Sequence, residues 1–315
     1  MGRAELCVVA LGGNAIIPHD RSGTIAEQRE LTRSTMAQVV EQVARGVRVV
    51  LTHGNGPIVG NIVLRNEAMA ERIPPMPLDV CGADSQGGVG YMIQQVLQNE
   101  LGRAGVPRPV VTVVTQVEVD PSDPAFRQPT KPIGPFYRPS EAATLGAAKG
   151  WEMRDDAGRG MRRVVASPRP LRIVEIDVIR MLVDEGVLVV CCGGGGVPVV
   201  RHGKEIQGIE AVIDKDHTAA VLATQLHATR LLLLTGVETV MRGFGTQTAS
   251  PLHSLTLAEA DGLLQAGEFP AGSMEPKIRA GLDFLRAGGQ EVLITDPEHL
   301  SAALAGTTGT HIGAA

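Results

Sequence analysis

The stretch LCVVALGG, residues 6–13, contains the pattern on which the predicted fold depends. Six apolar residues in a row, without polar alternation, are typical of a strand buried on both faces of a sheet. Two glycines follow at once, and there the backbone can turn closely and direct its N–H groups toward an anion. The stretch therefore predicts a buried strand whose carboxyl end leads into a ligand-binding loop.

The same order of strand and glycine loop occurs twice more. HGNGP, residues 53–57, follows the apolar run 47–52, and GGGG, residues 193–196, follows the run 187–192. A tight turn between strand and helix explains any one loop, but it is a weaker explanation for all three. Ligands of open α/β sheets bind beyond the carboxyl ends of the strands, so we expect the loops at one edge. The glycines of these loops have neither the spacing of a dinucleotide-binding motif nor that of a P-loop.

Segments with helical spacing separate the apolar runs. The predicted helices are 24–45, 84–103, 175–185, 215–226 and 273–286, and the further predicted strands are 109–115, 230–235 and 291–295. This alternation predicts an α/β fold in which a mostly parallel central sheet is covered by helices on both faces. Residues 202–205 are typical of a hairpin turn.

One stretch, 120–170, interrupts this alternation with prolines and charges. It is too long for an ordinary connection, so it is either a disordered insertion or a small subdomain on the sheet. Its apolar and aromatic residues, among them Phe136, Tyr137 and Trp151, favour the subdomain.

Composition excludes several classes of function. The chain has 315 residues, 43% of them hydrophobic, and a net charge of −5 from 29 basic and 34 acidic residues. This balance, with 3% aromatic residues, argues against a nucleic-acid or membrane-surface partner. The apolar N-terminal run is too short for a secretion signal, so we expect a cytoplasmic protein. The four cysteines form no C-x-x-C pair, so no metal site is expected, and disulfides are not expected in the cytosol.

Lysine is rare, and three of the five lysines lie in stiff surroundings. Lys131 lies between prolines, whereas Lys215 and Lys277 lie at predicted helix starts. A solvated surface charge is the usual alternative for any lysine. Phosphoryl transfer, however, needs charge neutralisation and positioning more than covalent chemistry, and lysines above glycine loops meet that need. Asp214 or Asp216 could hold the lysines or contact Mg²⁺.

Two further groups near these loops have a structural interpretation. We expect Asp79 and the segment 84–86 to provide a helix cap and loop contacts. We expect His53 to be a structural hydrogen-bonding residue and not a catalyst.

Taken together, these motifs resemble those of carbamate kinases, which have the amino-acid kinase fold. The resemblance spans about residues 4–313 and is carried by LGGNA (11–15), THGNGP (52–57), PTKPIGPFY (129–137), CGGGG (192–196), AVIDKD (211–216) and PK (276–277). The proline-framed segment around Lys131 is the most discriminating, because it lies in that family's protruding subdomain.

The resemblance implies a homodimer of single-domain chains, each a three-layer α/β/α sandwich with a protruding subdomain at 117–170. The N-terminal half would bind carbamate or carbamoyl phosphate, and residues from about 171 to 315 would bind ATP or ADP with Mg²⁺. The implied reaction transfers a phosphoryl group between ATP and carbamate, in the direction that makes ATP from carbamoyl phosphate.

The resemblance also assigns roles to individual residues. Lys215 and Lys277 would stabilise the phosphoryl group, Asp216 would orient them, and Lys131 would reach toward the acceptor. The residues implied to hold acceptor and phosphoryl oxygens are Gly12, Gly13, Asn14, Gly54, Asn55 and Gly56. The residues implied to bind the nucleotide are Gly194, Gly195, Asp214, Thr235, Gly236, Val237, Met274 and Pro276.

Departures from the family pattern keep two alternatives open. Glu275, before Pro276, is expected to place a carboxylate near the phosphates, and Asp84 and the segment 240–245 also differ. The alternatives are a kinase of the same fold that acts on another small carboxylate, and a nucleotide- or metabolite-binding protein without catalysis.

Overall fold

A computed structural model describes residues 5–13, 16, 23–156 and 158–313. Its main sheet has eight strands, and six consecutive strands, which include one edge strand, run parallel. In spatial order the strands are β15 (Ser254–Thr256), β17 (Thr310–Gly313), β16 (Glu291–Thr295), β12 (Arg230–Leu234), β1 (Leu6–Leu11), β2 (Arg48–His53), β9 (Leu188–Val190) and β3 (Val110–Thr112). Only the pairing of β16 with β17 is antiparallel, so the predicted mostly parallel sheet is confirmed.

Helices cover both faces of this sheet. Within the described residues, the α-helices are α1 (Ile25–Ala44), α2 (Gly56–Ala68), α3 (Leu78–Arg103), α4 (Pro139–Lys149), α5 (Ile176–Asp184), α6 (Lys215–Gln225), α7 (Leu257–Gln265), α8 (Met274–Arg286) and α9 (Leu300–Leu304). In the described part of the chain, no helix is long and apolar enough to cross a membrane.

Alternate residues of β1 enter two different cores. Leu6, Val8 and Ala10 pack with α5, α6 and α8, whereas Cys7, Val9 and Leu11 pack with α1 and α3. Successive side chains of a strand point to opposite faces, so a strand buried on both faces must be apolar throughout. The three-layer α/β/α arrangement predicted from the apolar runs is therefore confirmed.

A second sheet lies beside the first and contains the predicted hairpin. Its strands, in spatial order, are β11 (Glu205–Gly208), β10 (Val197–His202), β4 (Gln116–Val119) and β8 (Pro170–Ile173). Strands β10 and β11 are antiparallel and meet at Gly203, whose φ of +62° suits glycine. A two-stranded sheet of β13 (Val240–Arg242) and β14 (Ser250–Leu252) lies near β12 in sequence.

The proline-rich stretch contains a sheet of its own between β4 and β8. Strands β5 (Lys131–Tyr137), β7 (Met161–Val165) and β6 (Met153–Asp155) pair antiparallel in that order, and we call them the protruding sheet. Gly134, with φ +72°, lies against α2 so closely that a Cβ on Gly60 would overlap its backbone. Lys149 also forms an ion pair with Glu67 of α2. The boundaries 117–170 remain a prediction.

Some predicted boundaries were wrong. The helix predicted from Asp84 begins six residues earlier, at Leu78, so Asp84 lies inside α3 and caps nothing. Asp79 lies instead in the first turn of that helix, where a carboxylate favours the helix dipole. The strands predicted at 109–115 and 187–192 end at Thr112 and Val190 because the chain turns there toward the loops.

Candidate functional site

A cavity of about 380 Å³ lies at the carboxyl ends of the central strands. The loops after β1, β2, β9 and β12 all contribute to its wall, so the structure brings the three glycine loops together. The lining residues are Gly12, Gly13, Gly54, Asn55, Gly56, Pro57, Lys131, Pro132, Ile133, Arg159, Gly194, Val212, Ile213, Asp214, Lys215, Asp216, Thr235, Gly236, Gly272, Ser273, Pro276 and Lys277. Asn14, also predicted for this site, lies outside the described residues.

Two of the loop glycines are needed for close approach. A Cβ on Gly12 would overlap the carbonyl of Leu234 in the neighbouring strand. A Cβ on Gly194, whose φ is +66°, would overlap the amide of Asn55. Because these positions exclude side chains, the backbone of the loops itself forms part of the cavity wall, as an anion site built from backbone groups requires.

Two lysines share one buried carboxylate at the base of the cavity. The Nζ of Lys215 is 2.6 Å from Oδ1 of Asp216, and the Nζ of Lys277 is 2.8 Å from its Oδ2. The Asp216 side chain is only 4% exposed. A carboxylate that accepts from two ammonium groups holds both of them in place and balances half of their charge.

Helix starts place these three groups. Asp214 caps α6, since its side chain accepts from the backbone N–H groups of Asp216 and His217. Lys215 and Asp216 are thus in the first turn of α6, and Lys277 is in the first turns of α8, which packs against α6. The predicted starts of both helices are confirmed to within one residue.

Burial and charge act against each other in this cluster. Burial favours neutral Asp216, but the two ammonium groups hold the pKa of its carboxyl far below the usual range. Burial, together with nearby Lys277, lowers the pKa of Lys215. Burial also opposes the charge of Lys277, yet Asp216 raises the pKa of that amine. The site therefore contains a fixed carboxylate between ammonium groups of unequal acidity.

Lys131 enters the same cavity from the protruding sheet. Its Nζ is 2.6 Å from Oδ2 of Asp214, so the N-cap residue of α6 also receives this third amine. The Lys131 side chain is 30% exposed, more than twice the value for Lys215. Burial favours neutral Asp214, but Lys131 holds the pKa of that carboxyl below its usual range.

The loop after β2 is held from behind by α3. The Asn55 amide donates to the hydroxyl of Ser85 at 2.6 Å, and Ser85 donates in turn to the carbonyl of Gly82. The side chain of Gln86 exchanges two hydrogen bonds with the backbone of Thr115. Ser85 and Gln86 thus fix loops from inside α3, so the loop contacts predicted for this segment are confirmed, whereas its predicted helix cap was wrong.

His53 is part of the same support. Its ring is 1% exposed and packs so closely on Gly193 that a Cβ there would overlap it. Burial lowers the pKa of His53 to about 4, despite its contact with the carbonyl of Gly54. The ring is therefore neutral at physiological pH and does not line the cavity.

A second cavity of about 220 Å³ adjoins the first. The two share Thr235, Gly236 and Ser273. The second cavity is lined by Thr235, Gly236, Val237, Thr239, Met241, Phe244, Pro270, Ser273 and Met274. Four residues predicted for the nucleotide thus lie here, whereas Gly194, Asp214 and Pro276 line the first cavity. Gly195 lines neither, since it packs against Ile213 and accepts from Thr218.

The residues that line the cavities correct one sequence-based expectation and add one residue to the site. Glu275 forms an ion pair with Arg279 at 2.7 Å and does not line either cavity, so it places no carboxylate at their walls. Arg159 also lines the first cavity, although its sequence context does not predict it there. One arginine among 24, in a charged stretch, gives no local signal of this position.

The donor groups do not form a dedicated metal site. Among the described residues, no three His, Cys, Asp or Glu side chains are grouped as a metal ion requires. The two carboxylates in the cavity, Asp214 and Asp216, both contact lysines. A divalent ion carried by the phosphates of a nucleotide would need only one or two protein carboxylates.

A parallel sheet whose glycine loops face buried lysines is suited to binding and transferring anionic groups. The chain belongs to the amino acid kinase family, which it matches over residues 5–296. It is 47% identical to the carbamate kinase of Pyrococcus horikoshii, over 98% of this chain and 99% of that protein. It is also 50% identical to the carbamate kinase-like protein YahI of Escherichia coli K12, over 98% of both chains.

Solved structures give the same result. Carbamate kinase from Giardia lamblia bound to citric acid is 44% identical, with a TM-score of 0.94 over the full length of both chains. The structure of that enzyme bound to AMP-PNP has 44% identity and a TM-score of 0.92, again over both full lengths. The chain is therefore similar to carbamate kinases in sequence and in fold along its whole length.

Proposed function

We propose that the protein is a carbamate kinase, which transfers a phosphoryl group between ATP and carbamate. The observation that carries the proposal is the pair of buried amines on Asp216, facing glycine loops across a cavity of about 380 Å³. Carbamate kinases align with the whole chain, and one of them binds the ATP analogue AMP-PNP. In the direction that we propose, carbamoyl phosphate and ADP give carbamate and ATP.

The mechanism that we propose relies on charge. The bond between phosphorus and the carbamate oxygen breaks while a β-phosphate oxygen of ADP forms the new bond. Lys215 and Lys277 neutralise the oxygens of the moving group, and Asp216 keeps both amines aimed at it. Each ammonium has three N–H donors and uses one on Asp216, so donors remain for phosphoryl oxygens. Carbamate leaves as an anion whose charge is delocalised over two oxygens, so no general base or acid is required.

In this proposal, the two substrates occupy different cavities. The first cavity, with Gly12, Gly13, Gly54, Asn55 and Gly56, holds the acceptor and the moving phosphoryl group. The second, lined by apolar residues that include Val237 and Met274, holds the nucleoside of ADP or ATP. Acceptor residues thus come mostly from the N-terminal half, and nucleotide residues from 171–315. Mg²⁺ would accompany the nucleotide, and Asp214 and Asp216, which line the first cavity, are the carboxylates that could contact it.

ATP formation from ADP, Mg²⁺ and carbamoyl phosphate tests the proposal. Purified protein should produce ATP in a luciferase-coupled assay, and production should stop without carbamoyl phosphate. A protein that binds ADP by calorimetry but forms no ATP with any tested divalent ion would contradict it.

A kinase of the same fold with another small carboxylate acceptor is the second candidate. It is favoured by the 50% identity to a protein named only carbamate kinase-like. Replacing carbamoyl phosphate with acetyl phosphate in the assay separates the two, because only a broader acceptor site would use both. The feature that favoured a protein without catalysis, Glu275, contacts Arg279 and leaves that alternative without support.

We also propose a homodimer in the cytoplasm, where ATP and ADP are available. One face of α3 exposes Val80 and Tyr91, at 39% and 56%, with the open glycines Gly87 and Gly88 between them. These positions lie on one helical stripe, where a second α3 could pack closely. Sedimentation of the wild type as a monomer would exclude this interface, and a Tyr91→Arg variant should shift a dimer toward the monomer.

A further inference from the structure

Arg159 is a cation at the cavity that the proposed mechanism does not use. It lies between β6 and β7 of the protruding sheet, and it lines the same wall as Lys131. It does not line the second cavity, where we place the nucleoside. Its position points to the acceptor side of the reaction.

Arg159 can exchange its ion pair with Asp156 for another anion. Its Nη2 is 3.0 Å from Oδ1 of Asp156, and Nη1 of Arg162 is 3.0 Å from Oδ2 of the same carboxylate. Arg162 is only 13% exposed and also donates from Nε to the carbonyl of Gly134, whereas Arg159 is 50% exposed. If Arg159 turned to a substrate, Asp156 would still be paired with Arg162. The cost of releasing Arg159 is therefore small.

An aromatic ring holds Arg159 near the cavity while it exchanges partners. The guanidinium carbons of Arg159 and Arg162 each lie 5.2 Å from the centre of the Phe136 ring. Stacking of this kind favours the cation and does not use its N–H donors. Of the five N–H donors of Arg159, one on Nε and one on Nη2 contact Asp156, so the others remain available to an anion that enters the cavity.

The charges of the cavity match a dianion only when Arg159 is included. Its charged lining groups are Lys131, Lys215, Lys277 and Arg159, opposed by Asp214 and Asp216. Four cations against two carboxylates leave two positive charges, and without Arg159 only one remains. The phosphate of carbamoyl phosphate has up to two negative charges, and a planar guanidinium binds such oxygens through two parallel hydrogen bonds.

We propose that Arg159 is a substrate-binding residue that exchanges Asp156 for the phosphate oxygens of carbamoyl phosphate. This inference rests on the proposed function. The protruding sheet then supplies two cations to the acceptor, Lys131 and Arg159, and Arg162 retains Asp156 during the exchange.

Steady-state kinetics of Arg159→Gln test this role, with Arg154→Gln as the matched control. Arg154 lies on β6, is 48% exposed and pairs with Glu152 away from the cavity. For Arg159→Gln we expect KM for carbamoyl phosphate to rise about tenfold, the effect of one charged contact. KM for ADP and the melting temperature should stay at the wild-type values. Arg159→Lys should recover part of the loss, and Arg154→Gln should behave as the wild type.

Several results would overturn the inference. An unchanged KM for carbamoyl phosphate in Arg159→Gln would do so, as would an equal rise in Arg154→Gln. A rise in KM for ADP alone would mean that the guanidinium binds nucleotide phosphate. If the wild type formed no ATP, the proposed function would fail separately. Calorimetry with inorganic phosphate would still decide the binding role, since equal affinity in the wild type and Arg159→Gln would refute it.

Discussion

Two regions of the molecule supply cations to one cavity in different ways. One is the protruding sheet, and the other is the main sheet with its covering helices, which we call the core. In the core, the side chains of Lys215 and Lys277 are 13% and 12% exposed, and both pair with the buried carboxylate of Asp216. Lys131 and Arg159 are 30% and 50% exposed; Lys131 pairs with Asp214, and Arg159 pairs with Asp156, which it shares with Arg162. The core groups are therefore fixed before substrate binds, whereas the groups of the protruding sheet can exchange partners. We infer that the first pair serves the phosphoryl transfer and the second pair serves capture of the acceptor.

Removing a core amine should have the largest effect. In Lys215→Met, the moving phosphoryl group loses a fixed cation, so we expect kcat for ATP formation to fall about 10³-fold, at the upper end for one stabilising donor. Asp216 remains paired with Lys277, so the fold should persist by circular dichroism. Lys204→Met, at the exposed β10–β11 turn, is the control and should keep wild-type kcat. A Lys215→Met enzyme within tenfold of the wild type would refute the role of the core pair.

Moving the protruding sheet should have the next largest effect. A Cβ in Gly60→Ala would overlap the backbone of Gly134, so β5 must shift and carry Lys131 with it. We expect kcat/KM for carbamoyl phosphate to fall about 10²-fold, because a displacement of about 1 Å at a reacting group costs that much. KM for ADP should change little.

The control for this displacement is Gly102→Ala on α3. No atom lies within 4 Å of a Cβ added there, so alanine should be tolerated or should stabilise the helix. If Gly60→Ala impaired kcat/KM for carbamoyl phosphate and for ADP equally, the core and the protruding sheet would not have the separate roles that we infer.

The smallest expected effect is the loss of folding stability in acid that the buried ring of His53 causes. The pKa of His53 is about 4, below the ordinary 6.5, because the ring is buried. Between these values the unfolded chain binds more protons than the folded one, so stability falls as the pH drops from 7 to 5. His53 should account for about 2 kcal/mol of this loss at pH 5. Urea unfolding of the wild type and His53→Gln at both pH values measures the difference.

His311 provides a control of opposite sign at the edge of the main sheet. Its hydrogen bond to Glu291 raises the pKa of His311, so its contribution is present at low pH and is lost as the pH rises above about 6.5. His311→Gln should therefore lose more stability at pH 5 than at pH 7. If His53→Gln and wild type responded identically to acid, the ring would not be buried in its neutral form.

Local patterns in the sequence determined much of this fold. The apolar strands with their glycine loops, the starts of α6 and α8 and the hairpin at 202–205 all follow from interactions within a few residues, and the structure confirms them. The rarity of lysine also drew attention to three amines that line the cavity. Helix α2 does not follow from these local patterns, because its glycine-rich start is typical of a loop.

Only the tertiary structure decided which groups meet. Asp216 receives an amine from its neighbour and another from 61 residues away, and Lys131 meets Asp214 across 83 residues. The backbone contact of Gly60 with Gly134, the support of Asn55 by Ser85 and the place of Arg159 at the cavity likewise join distant segments. Periodicity and turn chemistry act over one or two turns of chain, whereas these contacts depend on how whole elements pack. The sequence thus determined the strands, the loops and the rare amines, and packing decided which carboxylates and backbone groups they contact.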